Sequence, residues 1–240
     1  LKYPQLRIHK RHLRIRWACV REIAGFSVLT CAQQSIMNLG ILMVQGLVNS
    51  FGATVMAAFA AAVKIDSFAY MPVQDFGNAF STFIAQNYGA QKQDRIRAGL
   101  KGAIWTAMAF CLLISAAVWV LARPLMLLFV EAGETAILSE GIRYLHIEGA
   151  FYCGIGCLFL LYGLYRAVGR PGMSVVLTVI SLGTRVALAY MLSALPSVGV
   201  VGIWWSVPIG WFLADAVGLV YYWKCRKRLL PSSLTENMVK

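Results

Sequence analysis

The chain has 240 residues, of which 59% are hydrophobic and only 13% are charged, and its mean hydropathy is +0.67. Soluble domains carry about a quarter charged residues, so this composition excludes a soluble domain and predicts a multi-pass membrane protein. The net charge of +12 would suggest a nucleic-acid partner for a soluble protein. Here the Lys and Arg residues cluster in short segments between apolar stretches, which follows the positive-inside rule and predicts no nucleic-acid partner.

The chain begins in a basic segment, since residues 1–21 hold seven Lys or Arg and no acidic residue. Because it opens on Leu1 inside this segment, we expect the second half of a larger protein without a signal peptide. We interpret 1–20 as a basic cytoplasmic linker, 21–228 as a six-helix transmembrane lobe and 229–240 as a polar cytoplasmic tail. The predicted fold class is therefore an all-α, polytopic membrane protein.

Six apolar segments are long enough to cross a bilayer, which needs about 20 residues. The uncharged stretch from Ile23 to Val63 is too long for one span, and the turn Asn49-Ser50-Phe51-Gly52 divides it. In the second helix, Pro72 predicts a bend. The predicted helices cover about 23–48, 53–86, 102–122, 136–166, 172–194 and 199–223.

The charge distribution predicts the orientation of these helices. With six spans, both chain ends lie on the same side of the membrane, and 17 of the 22 Lys and Arg residues then lie on that side. Basic residues prefer cytoplasmic loops, so we expect both ends in the cytoplasm and the protein in the cell membrane.

Polar side chains recur along the first helix at spacings of 4, 4, 7 and 4 residues, which places them on one face. Such a stripe is either a set of interhelical hydrogen bonds or the wall of a wet cavity. We favour the cavity because other helices carry charged residues at membrane depth. The stripe consists of Thr30, Gln34, Asn38, Gln45 and Asn49.

Five charged residues lie in apolar surroundings, where a charge costs about 2.5–3.5 kcal/mol on insertion scales. Lys64 and Asp66 on the second helix are two residues apart, so they point in different directions and each needs a partner on another helix. Glu148, Arg185 and Asp215 are the candidate partners. These residues form either structural ion pairs or a site in which a carboxylate carries a coupling cation. Together with Gln34, Asn38 and Gln45 they are our candidate residues for a cation and substrate cavity.

The sequence offers no sign of enzymatic or metal chemistry. Cys153 and Cys157 share a helix face, but no His or acidic residue accompanies them at zinc-ligand spacing, and we interpret them as small packing residues. A glycine loop followed by Lys-Ser/Thr, which cradles phosphates, is lacking, so we predict neither an enzyme nor an ATP-driven pump and no cofactor other than a coupling ion.

Several short motifs follow one another in a fixed order along the chain: Met71-Pro72, Gly77-Asn78-Ala79, Gln86-Asn87-Tyr88-Gly89-Ala90, Arg95 and Arg97. Two further segments are Val48-Asn49-Ser50-Phe51-Gly52 and Arg166-Ala167-Val168-Gly169-Arg170-Pro171. With these motifs the sequence resembles the multidrug and toxic compound extrusion (MATE) family over about residues 15–225.

This resemblance implies the C-terminal six-helix lobe of a twelve-helix antiporter that exchanges sodium ions or protons for organic, often cationic, compounds. Its partners would be those compounds, the lipid bilayer and an N-terminal six-helix lobe. Some family members carry a carboxylate where Gln33 or Asn38 stands here, which leaves Asp66 and Glu148 as the acids expected to bind sodium or a proton. The alternatives are a lipid-linked sugar flippase with a cationic cavity formed by Lys64 and Arg185, a non-transporting scaffold, and an inactive half.

Overall fold

The computed structural model describes residues 16–229, which form an all-helical bundle. Residues 1–15 of the predicted linker and 230–240 of the predicted tail lie outside this range. Five of the helices are long and apolar enough to cross a membrane, and a bent pair supplies a sixth span. The helices are α1 (Trp17–Asn49), α2 (Ala53–Gly89), α3 (Gln93–Met126), α4 (Thr135–Gly149), α5 (Tyr152–Ala167), α6 (Pro171–Ser193) and α7 (Val200–Leu229).

The fourth predicted helix is two helices in the structure, and this corrects the prediction of one helix over 136–166. The axes of α4 and α5 differ by 51° across a short break at Ala150 and Phe151. Glycines, which are poor helix formers, flank the break at Gly149 and Gly154. The ring of Phe151 packs against α7, with its centroid 5.6 Å from that of Trp205. By length and composition, the pair α4–α5 can cross a membrane as one broken span.

Most helices extend beyond the predicted apolar segments. Helix α3 begins at Gln93 rather than near residue 102, so Arg95, Arg97 and Lys101 are helical. The prediction used charged residues as the boundary of this helix. Charged residues mark the edge of the hydrocarbon core of the bilayer, but a helix can continue beyond it into the membrane interface. Helix α2 continues through Pro72 as one helix of 37 residues, about 55 Å long at 1.5 Å per residue.

Helices α2 and α5 lie at the centre of the bundle and approach each other through glycines. A Cβ atom on Gly163 of α5 would lie 2.6 Å from the carbonyl oxygen of Gly77 on α2, closer than real Cβ atoms come. One on Gly77 would lie 3.1 Å from the carbonyl oxygen of Phe159. Small residues permit this backbone approach, as in other membrane helix pairs. The contact holds together the two helices that contribute most to the site below.

Candidate functional site

A cavity of about 100 Å³ lies inside the bundle and contains three of the five charged residues singled out above. Six helices contribute to its wall, and the charged groups are Asp66 of α2, Glu148 of α4 and Arg185 of α6. We call it the acid cavity. The remaining lining residues are Met37, Ile41, Phe59, Val63, Tyr70, Tyr144, Ile155, Leu158, Phe159, Tyr162, Ser181, Leu182 and Trp211.

The two carboxyl groups of the acid cavity are in contact with each other and are almost completely buried. Asp66 is 5% exposed and Glu148 only 1%, and their side chains interact within hydrogen-bonding reach. The hydroxyl of Tyr152 donates a hydrogen bond to Oδ1 of Asp66. The guanidinium of Arg185 attracts both carboxyl groups. Two acidic side chains and one nearby guanidinium therefore lie in the interior of the membrane protein.

Part of this cluster has no partner in the protein. Among the described residues, Oε1 of Glu148 and Nε of Arg185 are buried without a hydrogen bond. Buried polar groups without a partner cost about 1–3 kcal/mol each, so such atoms usually bind water, an ion or a proton. The donor set, two carboxylates and a tyrosine oxygen, fits a hard cation such as sodium.

Aromatic side chains pack against the acid cavity on the side of the α3–α4 connection. The ring of Tyr144 meets those of Phe59 and Trp204 edge to face, with centroids 5.6 and 5.0 Å away. The indole of Trp204 also donates a 2.8 Å hydrogen bond to Oε1 of Glu140. These contacts join α4, which carries Glu148, to α2 and α7.

A second cavity, of about 120 Å³, shares Met37, Phe159 and Tyr162 with the first. It lies between α1, α2 and α5, and we call it the amide cavity because four amide side chains line it. Its only charged lining group among the described residues is Arg166. The lining is completed by Thr30, Gln33, Gln34, Gln74 and Asn78.

The guanidinium of Arg166 is held in place by two neutral acceptors. Its Nη2 donates a 2.9 Å hydrogen bond to Oδ1 of Asn78 on α2. Its Nε donates a 3.3 Å hydrogen bond to the carbonyl oxygen of Tyr162 one turn earlier. The amide cavity is thus polar and carries one positive charge, whereas the acid cavity carries two acids and one base.

The structure places the other predicted site residues away from the acid cavity. Gln34 lines the amide cavity and donates a 3.5 Å hydrogen bond to Asn38, and both are exposed. Gln45 is exposed further along α1. Asp215 is buried on α7 beside the thiol of Cys157 and does not line either cavity. The Asp66 partners are therefore Glu148, Arg185 and Tyr152, not Asp215.

Lys64 points away from Asp66, as the spacing of two residues predicts. It is exposed, and its Nζ lies 5.9 Å from the ring centroid of Phe129, beside Glu131 and Glu134 of the α3–α4 connection. Its long aliphatic stem lets the ammonium reach the acidic connection at the end of the bundle. Lys64 therefore does not line the acid cavity together with Arg185.

Sequence reasoning missed two tyrosines: Tyr144, which lines the acid cavity, and Tyr152, which donates a hydrogen bond to Asp66. Tyr144 precedes Glu148 by four residues and so lies on the same helix face, a signal that could have been used. Tyr152 lies after the break between α4 and α5, and no periodicity in the sequence relates it to Asp66. Its contact depends on how the broken span folds back onto α2.

Comparisons with known proteins agree with this architecture. The sequence model of the MatE family matches residues 27–191. Two curated relatives from Bacillus subtilis are the probable multidrug resistance proteins YpnP, 27% identical over 81% of this chain, and YoeA, 25% identical over 90%. This chain spans 44% and 47% of their lengths, about half.

Solved structures match the fold of the chain. One, described as the outward-facing conformation of a multidrug resistance MATE family transporter of the MOP superfamily, superposes with a TM-score of 0.85 at 19% identity. The match covers 94% of this chain and 50% of that one, so the fold is that of one lobe. Because the family model covers more than half of the residues, the chain belongs to the MatE family of membrane transporters and is not an enzyme.

Proposed function

We propose that this chain forms one lobe of a secondary antiporter that exports organic, often cationic, compounds in exchange for sodium ions or protons. In this proposal Asp66 and Glu148 bind the coupling cation. The observation that carries it is the contact between these two buried carboxyl groups, together with the unpartnered Oε1 of Glu148. The names of the two Bacillus subtilis relatives support the export of drug-like compounds.

The charges of the acid cavity suit a single coupling cation. If both acids are ionised, Asp66, Glu148 and Arg185 together carry one net negative charge. One sodium ion or one proton brings the cavity to neutrality, and uncompensated charge is expensive in a low-dielectric interior. Loading and release of one cation therefore change the energy of this lobe substantially, which is what coupling requires.

The acid cavity is large enough for the coupling cation but too small for the organic compound, so the two bind at different sites. About 100 Å³ holds about three water molecules at 30 Å³ each, which is enough for a cation but not for a drug-sized compound. The compound must therefore bind elsewhere. We place it at the face of α1 that exposes Asn38 and Gln45, since such residues do not face hydrocarbon without cost.

That face would meet the rest of the transporter. Its relatives are about twice as long as this chain, and antiporters of this kind work by rocking two bundles against each other around a central site. We place both chain ends in the cytoplasm and the protein in the cell membrane because the basic residues concentrate on one side of the predicted spans.

A lipid-linked sugar flippase, the alternative from the sequence, required Lys64 and Arg185 to form one cationic cavity. Lys64 lies beside Phe129 instead, so no specific observation favours that alternative. A scaffold without transport activity, or an inactive half, predicts that the acid pair has only a structural role. The following experiment separates these interpretations from coupled transport.

The test uses the full-length transporter in sealed vesicles, with accumulation of a cationic dye measured under an imposed sodium or proton gradient. Asp66→Asn and Glu148→Gln keep the shape of each side chain but remove its charge. We expect each to lower gradient-driven transport by about tenfold or more, which corresponds to a loss of about 1.4 kcal/mol in cation binding. The gradient that drives the wild-type protein identifies the coupling ion.

Asp75→Asn is the matched control because Asp75 lies on the same helix but is exposed and lines neither cavity. It should retain coupling to the ion gradient. The proposal is wrong if Asp66→Asn and Glu148→Gln insert normally and transport the dye with unchanged ion dependence.

A further inference from the structure

The amide cavity has the opposite charge balance from the acid cavity, although the two share a wall. Arg166 lines it without a carboxylate, because its hydrogen-bond acceptors are Asn78 and the backbone of Tyr162. In the described part of the chain, no acidic residue is among its lining residues. Asp75, the acid of α2 nearest in sequence to Gln74 and Asn78, is exposed and outside the lining.

A second observation indicates that this cavity is built to hold a polar group. The side chain of Gln33 is only 8% exposed and lines the cavity. Buried amides are almost always hydrogen-bonded. A polar ligand in the cavity would offer this amide an acceptor.

We propose that the amide cavity binds an oxyanion, the carboxylate or phosphate group of a small molecule or a lipid. Amide N–H groups and a guanidinium are the donors that recognise such groups, and the planar fork of Arg matches two oxygens at once. A volume of about 120 Å³ equals about four water molecules. That space fits one carboxylate or phosphate group, whereas a whole nucleotide is too large.

The geometry disfavours a cation at the same place. An uncompensated guanidinium repels sodium and organic cations, and polar pores use a positive group to exclude them. The aromatic rings of Phe159 and Tyr162, together with Met37, separate the amide cavity from the acid cavity. A negative group near Arg166 and a cation between Asp66 and Glu148 can thus be bound at once without direct contact.

The residue at position 33 makes this charge balance possible. A carboxylate at position 33 would line this cavity together with Arg166 and oppose its charge. The amide of Gln33 leaves the positive charge available to a ligand. The oxyanion site does not depend on which ion drives transport.

The test measures binding and needs no transport activity. Full-length protein in nanodiscs of phosphatidylcholine is titrated with inorganic phosphate at constant ionic strength, and the dissociation constant is obtained by calorimetry. Arg166→Gln should raise that constant by about tenfold or more, since charge-assisted hydrogen bonds contribute about 1.5–3 kcal/mol. Gln33→Glu should abolish binding while leaving Arg166 and its hydrogen bond to Asn78 in place.

Arg170→Gln is the matched control, because it removes the same charge one turn later at an exposed position that lines neither cavity. It should bind phosphate as the wild-type protein does. A parallel arm replaces the phosphate with phosphatidylglycerol in the nanodisc and measures thermal stability. Stabilisation by phosphatidylglycerol alone, lost in Arg166→Gln, identifies a lipid headgroup as the source of the anion.

Two results would overturn the proposal. In one, neither phosphate nor phosphatidylglycerol binds to or stabilises the wild-type protein. In the other, Arg166→Gln and Gln33→Glu respond to both probes as the wild-type protein does, which would place any anion binding elsewhere on the basic surface.

Discussion

The acid cavity and the amide cavity lie side by side in one lobe, yet they balance charge in opposite ways. Two acids and one Arg line the first, while the second has one Arg and four amides. Both are surrounded by apolar helices, where an uncompensated charge is costly. Under the two proposals above, each cavity binds a ligand of opposite charge. Variants that remove one protein partner at a time test this comparison.

The largest effect is expected for Arg185→Gln, which leaves two buried carboxyl groups without their positive neighbour. Removing one partner from a buried charged cluster costs about 3–5 kcal/mol. We expect a marked loss of thermal stability in the full-length protein, and a larger stabilisation by added sodium or by acid than in the wild type. Thermal unfolding in detergent, with and without sodium at two pH values, measures both.

Arg143→Gln is the control for this prediction, since Arg143 lies on the same helix as Glu148 but is exposed. Its stability should remain close to that of the wild type. If Arg185→Gln is equally stable and equally insensitive to sodium and pH, the acid pair does not rely on Arg185.

A smaller effect is expected for Tyr152→Phe, which removes the hydroxyl that donates to Asp66. A hydrogen bond to a charged group contributes about 1.5–3 kcal/mol. The variant should lose stability by about this amount and should change the sodium or proton concentration at which transport is half-maximal. Dye transport at a series of ion concentrations measures the second effect.

Tyr165→Phe is the control for Tyr152→Phe. It distinguishes a hydroxyl that positions Asp66 from one that contributes only to packing. Tyr165 is buried on the same helix and donates a 2.7 Å hydrogen bond to the carbonyl oxygen of Gly218, away from both cavities. It should lose some stability with no change in ion dependence. Equal ion dependence in Tyr152→Phe and the wild type would mean that the hydroxyl only packs the site.

The sequence predicts those features of the two cavities that can be recognised along a single helix. It does not predict the contacts that form only when helices pack together. Hydropathy and charge predict the six spans, because both follow from the cost of polar groups in lipid. Asp66, Glu148 and Arg185 stand out for the same reason. The break at Ala150 and Phe151 does not, since no proline marks it.

The amide cavity could not be predicted from spacing alone. Gln34 and Asn38 belong to a visible polar stripe. Gln33, the buried polar residue of α1 among the described residues, lies outside that stripe. Arg166 reads as a residue of a cytoplasmic loop, and only the close approach of α2 and α5 brings it to Asn78. Sites formed across helices depend on packing, which single-helix periodicity does not contain.

The smallest effect is expected for Asn78→Ala, which removes the neutral acceptor that holds Arg166 in the amide cavity. Such a hydrogen bond contributes about 0.5–1.5 kcal/mol, so phosphate affinity should fall by about two- to tenfold, less than in Arg166→Gln. Thr82→Ala is the control, because Thr82 is exposed one turn further along α2 and lines neither cavity. Phosphate calorimetry on both variants gives the comparison, and ion-driven dye transport should be unchanged in both. A loss of ion coupling in Asn78→Ala without a loss of phosphate binding would show that the two cavities are one functional site, and would remove the distinction between them.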